Sequence, residues 1–197
     1  MKICIERSDR MGDMILTLPV IQGIKEKNPE AVIDVVASKR NIKICNLCNL
    51  INKTYEKSNN TQGFKQLTKS IRKEKYDYYF SFSPSWFGFF LGLYSKSKFK
   101  SSLILQSRYK SSMLSKFLQI ILSKIFFSQS KVVNRFKSLR ENQDIHQTKT
   151  MMEVILNSGI SIDKNHQSNF KFTNVFTMKK DKKVCVIHLS SKWINKY

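Results

Sequence analysis

Short apolar runs alternate with stretches in which apolar residues recur every three or four positions, and this rhythm organises the first half of the chain. Ile3 to Ile5 read as a buried strand and lead into Arg7-Ser8-Asp9-Arg10-Met11-Gly12-Asp13. Met14, Ile15, Leu18, Ile21 and Ile24 then fall on one helical face, which Asn28-Pro29 terminates. Pro19 lies inside that helix and predicts a kink or a separate first turn. Ala31 to Ala37 is short and β-branched, hence a second strand, with Ser38 placed to cap a helix running to Leu47. Leu50 to Tyr55 reads as a third strand, Gly63 to Lys75 as a polar amphipathic helix, and Tyr76 to Phe82 as a fourth strand ended by Pro84. Strands alternating with helices long enough to cross over predict a parallel sheet covered on both faces, an α/β, Rossmann-like fold.

The pattern is less regular beyond this point. Tyr78 to Ser95 carries no charge over a length that borders on a membrane span, but its serines, Pro84, Gly88 and Gly92 favour strand, turn and helix. Met113 to Phe127 is helical, with Leu114, Phe117, Leu118, Ile121, Leu122 and Ile125 on one stripe and Lys116, Gln119, Ser123 and Lys124 opposite. Packing of that stripe into the core is the favoured reading, and a basic helix lying on an anionic membrane is the other. His146 to Asn157 predicts a further helix, closed by Ser158-Gly159. Asn169 to Thr173 and Val184 to Leu189 read as strands.

Charge adds a second layer. The 197 residues hold 35 Lys and Arg against 14 Asp and Glu, a net +21. The excess concentrates between Tyr78 and Arg140, where no acidic residue occurs. Such a field draws anionic partners: nucleic acid, phosphorylated sugars or an acidic membrane. A lysine-rich solvated surface is the plainer account. Met1-Lys2 runs straight into a strand rather than an apolar leader, so the expected location is cytoplasmic, with cysteines reduced. Cys45-Asn46-Leu47-Cys48 lacks a second ligand pair for zinc and sits near a helix end, and reads as structural.

The strongest local chemistry is the strand–turn–helix at Ser8 to Asp13. Ligands of open parallel sheets bind beyond the carboxyl ends of the strands. Gly12 would let a ligand approach the backbone closely, and Asp13 projects from the first helical turn. Asp13 either takes the proton of an attacking hydroxyl or complements the helix terminus, and spacing alone favours the latter.

Arg7 to Ser38, around Met11-Gly12-Asp13-Met14-Ile15-Leu16-Thr17-Leu18-Pro19, resembles the opening of the heptosyltransferase family, glycosyltransferase family 9. Asn28-Pro29, Ile33 to Val36, Tyr76-Asp77, His146 to Ile160, and Val184 to His188 followed by Ser190-Ser191-Lys192-Trp193 keep the order of the family's landmarks. The resemblance implies a GT-B fold, two Rossmann-like domains across a cleft. Residues 1–178 would be the acceptor-side domain, and 179–197 the start of a nucleotide-sugar-binding domain that is otherwise absent. It implies inverting transfer of a heptose or related sugar from ADP-heptose or another nucleotide sugar to a lipid-linked, lipopolysaccharide-core-like acceptor. No metal and no cofactor are expected. Asp13 matches the family's general base, and Lys192, helped by Ser190 and Ser191, its donor-diphosphate contacts. Arg10 is an acceptor-side candidate from sheet geometry alone. The expected location becomes cytoplasmic and peripheral to the inner face of the membrane. An anionic membrane is a further expected partner, and specific nucleic-acid binding is not expected. The competing readings are a catalytically incomplete fragment and a basic protein that binds anionic membrane or nucleic acid.

Overall fold

A computed structural model describes residues 1–105, 113–133 and 146–162. Six parallel strands form one sheet in the order β3-β2-β1-β4-β5-β6: β1 Lys2–Arg7, β2 Val32–Ala37, β3 Lys53–Glu56, β4 Tyr78–Ser81, β5 Phe99–Leu105 and β6 Gln129–Val133. The order runs outward from β1 in both directions, the doubly wound arrangement whose switch point lies between β1 and β4. Ile3 pairs with Ile33 on one side and with Tyr78 on the other, so the three central strands are in register.

The helices split between the two faces. On one lie α1 Met11–Ile15, α2 Leu18–Lys27, α3 Ile42–Asn46 and α7 Gln147–Asn157, packed on Ile3, Ile5, Ile33, Val35 and Phe80. On the other lie α4 Thr61–Glu74, α5 Trp86–Ser95 and α6 Met113–Phe126, packed around Cys4, Tyr79 and Phe127. The period-two alternation of β1 explains this division: Ile3 and Ile5 face one layer, Cys4 the other. A methyl group at Gly92 would press on Tyr79 and Phe127, so glycine lets α5 lie close against β4.

Most elements lie where periodicity places them. The helix opened by Met14 is broken at Leu16-Thr17, with Pro19 in the first turn of the second piece, where its missing N–H costs nothing. Gly159 has φ +86 behind the Ser158 C-cap, the left-handed position expected of it. The charge-free stretch from Tyr78 is β4, a turn and α5, and no helix among the described residues is long and apolar enough to cross a membrane. The third strand starts three residues later than expected. Asn41, not Ser38, occupies the N-cap of α3, and its side chain instead accepts from the Ser38 N–H at 2.7 Å. Strands β5 and β6 have no clear sequence signal. Ser101 and Ser102 are buried in β5, and β6 is a polar edge strand.

The orientation of α6 overturns the favoured packing. Gln119 and Ser123 are the buried residues and Leu122 packs against the core as expected, while Leu114, Phe117, Leu118, Ile121 and Ile125 are exposed. Contacts to α5 decide this: Gln119 donates to the Ser85 carbonyl at 3.3 Å, and Trp86 donates to the Ser115 hydroxyl at 2.8 Å.

A buried polar knot ties β2 to the far layer. Asp34 accepts from Asn52 at 2.8 Å and from the Tyr76 hydroxyl, whose pKa burial pushes up. Tyr76→Phe would strand one carboxylate oxygen away from water. The expected cost is about 1–3 kcal/mol in urea unfolding.

Candidate active site

The carboxyl ends of β1 and β4 meet at the switch point, and the site grows from there. Arg7 ends β1 as a fully buried side chain at 1% exposure. Such a residue survives only when its donors are taken up. Its Nη1 donates to the Phe82 carbonyl beyond β4, its Nε to the Asp13 carbonyl at 3.2 Å, and its Nη2 to Gln147 Oε1 of α7 at 3.3 Å. The same guanidinium pairs with the Asp13 carboxylate at 3.2 Å and faces Asp9 Oδ1 at 3.3 Å. Arg7 therefore fixes the turn, the base of α1 and the start of α7 together.

Asp13 sits in the first turn of α1 with its side chain 23% exposed. It is anchored on Arg7 yet open to solvent at the strand ends, a geometry suited to receiving a proton from a bound hydroxyl. Asp9 is similarly half-sheltered. Its Oδ1 is buried and makes no hydrogen bond, because the Arg7 Nε–H is spent on the Asp13 carbonyl. Burial pushes the Asp9 carboxyl above its usual range, against the pull of Arg7.

Glu6 points to the opposite layer and is sealed. It accepts from the Ser8 N–H at 3.2 Å, the Ser8 hydroxyl and the Ser81 hydroxyl at 2.8 Å, and burial raises its pKa. A methyl group at Gly88 would collide with Glu6 and Ser81, so α5 closes that side. A raised folded-state pKa means the folded chain holds the proton more tightly than the unfolded one. Stability then falls as pH rises from the ordinary glutamate value through the raised one. Glu6→Gln keeps an acceptor for Ser8, and Ser81 can turn its proton to the Ser83 carbonyl at 3.1 Å. The variant should be at least as stable as the parent at neutral pH, with its advantage vanishing in acid. Thermal melts across that range check it.

The other expected residues divide. Arg10 is exposed at the N-cap of α1, near Asp13 in the chain but without a side-chain cap bond. Gly12, expected to let a ligand approach the backbone closely, is part of the helix rather than of the turn before it. It lies inside α1 without positive φ, and a Cβ there meets nothing within 4 Å. The backbone does not require glycine, so only close approach of a ligand could. Gly12→Ala should leave stability unchanged or raise it by up to about 1 kcal/mol. Lys192, Ser190 and Ser191, the expected strands Asn169 to Thr173 and Val184 to Leu189, and the 178/179 boundary lie outside the described residues. Cys45 and Cys48 are buried free thiols, and burial pushes Cys45 up to about 12, as structural cysteines require. Among the described residues, no group of three or more His, Cys, Asp and Glu could hold a metal ion.

The strand–turn–helix pattern drew attention to Asp13, and the family resemblance made it the expected base; neither gave a role to Arg7, Asp9 or Glu6. Arg7 and Glu6 close a strand whose middle, Ile3 to Ile5, is apolar, which is the available signal.

Fold and site define the class: a doubly wound α/β domain with an arginine-anchored carboxylate at the switch point. The comparisons refine this. The chain is 34% identical over 82 residues to lipopolysaccharide heptosyltransferase 3 of Escherichia coli, a match covering 38% of this chain and 24% of that protein. No family model matches. A glycosyltransferase family 9 structure from Veillonella parvula superposes with a TM-score of 0.61 at 15% identity, over 83% of this chain and 42% of the other. Escherichia coli heptosyltransferase WaaC with ADP gives 0.61 at 13% identity, over 85% and 50%. An FMN-dependent UbiX-like decarboxylase from Escherichia coli O157:H7 also shares the fold, at 0.53 and 12% identity, over 85% of this chain and all of its own. Fold alone therefore does not select the chemistry. In sequence and fold together the chain is similar to heptosyltransferases, the matches spanning about a quarter of the curated protein and about half of the solved ones.

Proposed function

We propose that this chain forms the acceptor-side half of a glycosyltransferase. The enzyme moves a heptose or related sugar from a nucleotide-sugar donor to a lipid-linked, lipopolysaccharide-core-like acceptor. The observation that carries the reading is Asp13, anchored by Arg7 at the switch point and lying in the segment that resembles the heptosyltransferase opening.

In this mechanism the acceptor hydroxyl lies against Asp13, which removes its proton. The oxygen attacks the anomeric carbon from the face opposite the diphosphate. The bond to the diphosphate breaks, and the anomeric configuration inverts. No metal is used: Lys192, with Ser190 and Ser191, offsets the charge gathering on the leaving nucleotide. Gly12 leaves room for the acceptor over α1, and Arg10 meets its anionic groups. The donor assignment draws support from the relatives solved with ADP and with ADP-2-deoxy-2-fluoro heptose. Work on a lipid-linked acceptor implies a cytoplasmic protein at the inner face of the membrane. Specific nucleic-acid binding is not part of the reading.

The test joins this chain to a nucleotide-binding lobe and offers ADP-heptose with a heptose-deficient lipopolysaccharide. A mass gain of one heptose on the acceptor is expected. Absence of product while the lobe binds ADP would remove the reading and leave a catalytically incomplete fragment.

A further inference from the structure

We propose that the α4–α6 layer is a docking surface for an anionic lipid bilayer, with the outward stripe of α6 entering the headgroup boundary. The inference goes beyond sugar transfer and does not rest on it.

The stripe is the first observation. Leu114, Phe117, Leu118, Ile121 and Ile125 are 79, 61, 48, 39 and 66% exposed. They follow three- and four-residue steps along one helix, so they form a continuous apolar band rather than scattered contacts. The polar residues of α6 that would normally face water, Gln119 and Ser123, are turned inward. On the neighbouring helix α5, Phe90 and Tyr94 are also exposed.

Charge is the second, independent observation, and it selects the occupant. Helix α4 carries Lys65, Lys69, Arg72 and Lys73, and α6 carries Lys124. The single acidic residue of the three helices is Glu74, which pairs with Lys2 and Lys53, each at 3.2 Å. Between α4 and α5 runs a groove of about 790 Å³ lined by Phe64 and Tyr94 together with Lys65, Lys69 and Arg72. Apolar side chains beside unopposed cations match a bilayer whose surface is anionic and whose interior is apolar. A second copy fits poorly, since pairing two such faces brings like charges together. A nucleic acid would meet the cations but leave the apolar band in water. No described helix can span a bilayer, so the contact is interfacial.

The test is co-sedimentation of the whole chain with phosphatidylethanolamine vesicles containing phosphatidylglycerol, and with phosphatidylcholine vesicles as the neutral control. Retention on the anionic vesicles should exceed the control by about tenfold or more and fall with added salt. Phe117→Ser/Ile125→Ser should lower anionic retention by about tenfold or more, because two large apolar side chains no longer leave water. Lys69→Glu/Lys73→Glu should lower it by a similar factor and flatten the salt dependence. All four side chains are exposed; circular dichroism verifies the fold, and Leu114→Ser/Leu118→Ser is a second stripe variant. Equal retention on both vesicle types would overturn the proposal, as would no retention on either. Unchanged retention of both stripe variants would overturn the inserted band. A wild-type dimer that the stripe variants dissociate, without vesicle binding, would give the face to a second copy instead.

Discussion

In the chain joined to a nucleotide-binding lobe, the proposed function expects Asp13→Asn to lower sugar transfer by about 10²- to 10⁴-fold, the usual contribution of a positioned general base. The change removes the basic oxygen and little else. Asparagine has the same shape, and its Oδ1 can still accept from Arg7 Nη2, now 3.2 Å from the carboxylate. Arg7 also keeps its contacts to Phe82, Gln147 and Asp9. The loss should therefore appear in kcat, with the acceptor KM and the urea midpoint nearly unchanged. Retained turnover with a lowered midpoint would make Asp13 a strut for Arg7 and remove it as the base.

The second large effect is on stability. Arg7→Ala takes away the cation that two half-buried carboxylates share, and orphans the Phe82 carbonyl and the Gln147 amide. Breaking a buried ion pair from one side costs about 3–5 kcal/mol. Asp9 and Asp13 remain 27 and 23% exposed, so water recovers part of this and the lower end, about 3 kcal/mol, is expected. Urea unfolding measures it. The triple change Arg7→Met, Asp9→Asn, Asp13→Asn removes cation and anions together and should restore most of the loss. If the triple variant stays as weak as Arg7→Ala, packing rather than charge explains Arg7.

Local pattern made the sheet largely legible. β1, β2 and β4 are apolar and short, and helices of fitting length separate them. β5 and β6 escaped because buried serines and an edge position erase alternation. The same limit hid Arg7. Its partners at Phe82 and Gln147 lie 75 and 140 residues away, and only the folded sheet brings them together. Asp13 was visible because strand, turn and helix are contiguous. The orientation of α6 was misjudged because periodicity reports that a stripe exists, not which way it turns; Gln119 and Trp86 settle that through α5.

The grip of α7 on α1, its neighbour in the same layer, has a mechanical consequence. Gln147 holds Arg7, and Thr148 donates to the Leu16 carbonyl at 3.0 Å, at the break between α1 and α2. The first turn of α7 is thus geared to both ends of α1, the helix that carries Asp13. A displacement of α7 would reach Asp13 through Arg7 and the Leu16 carbonyl, so whatever pulls on α7 acts on the proposed base.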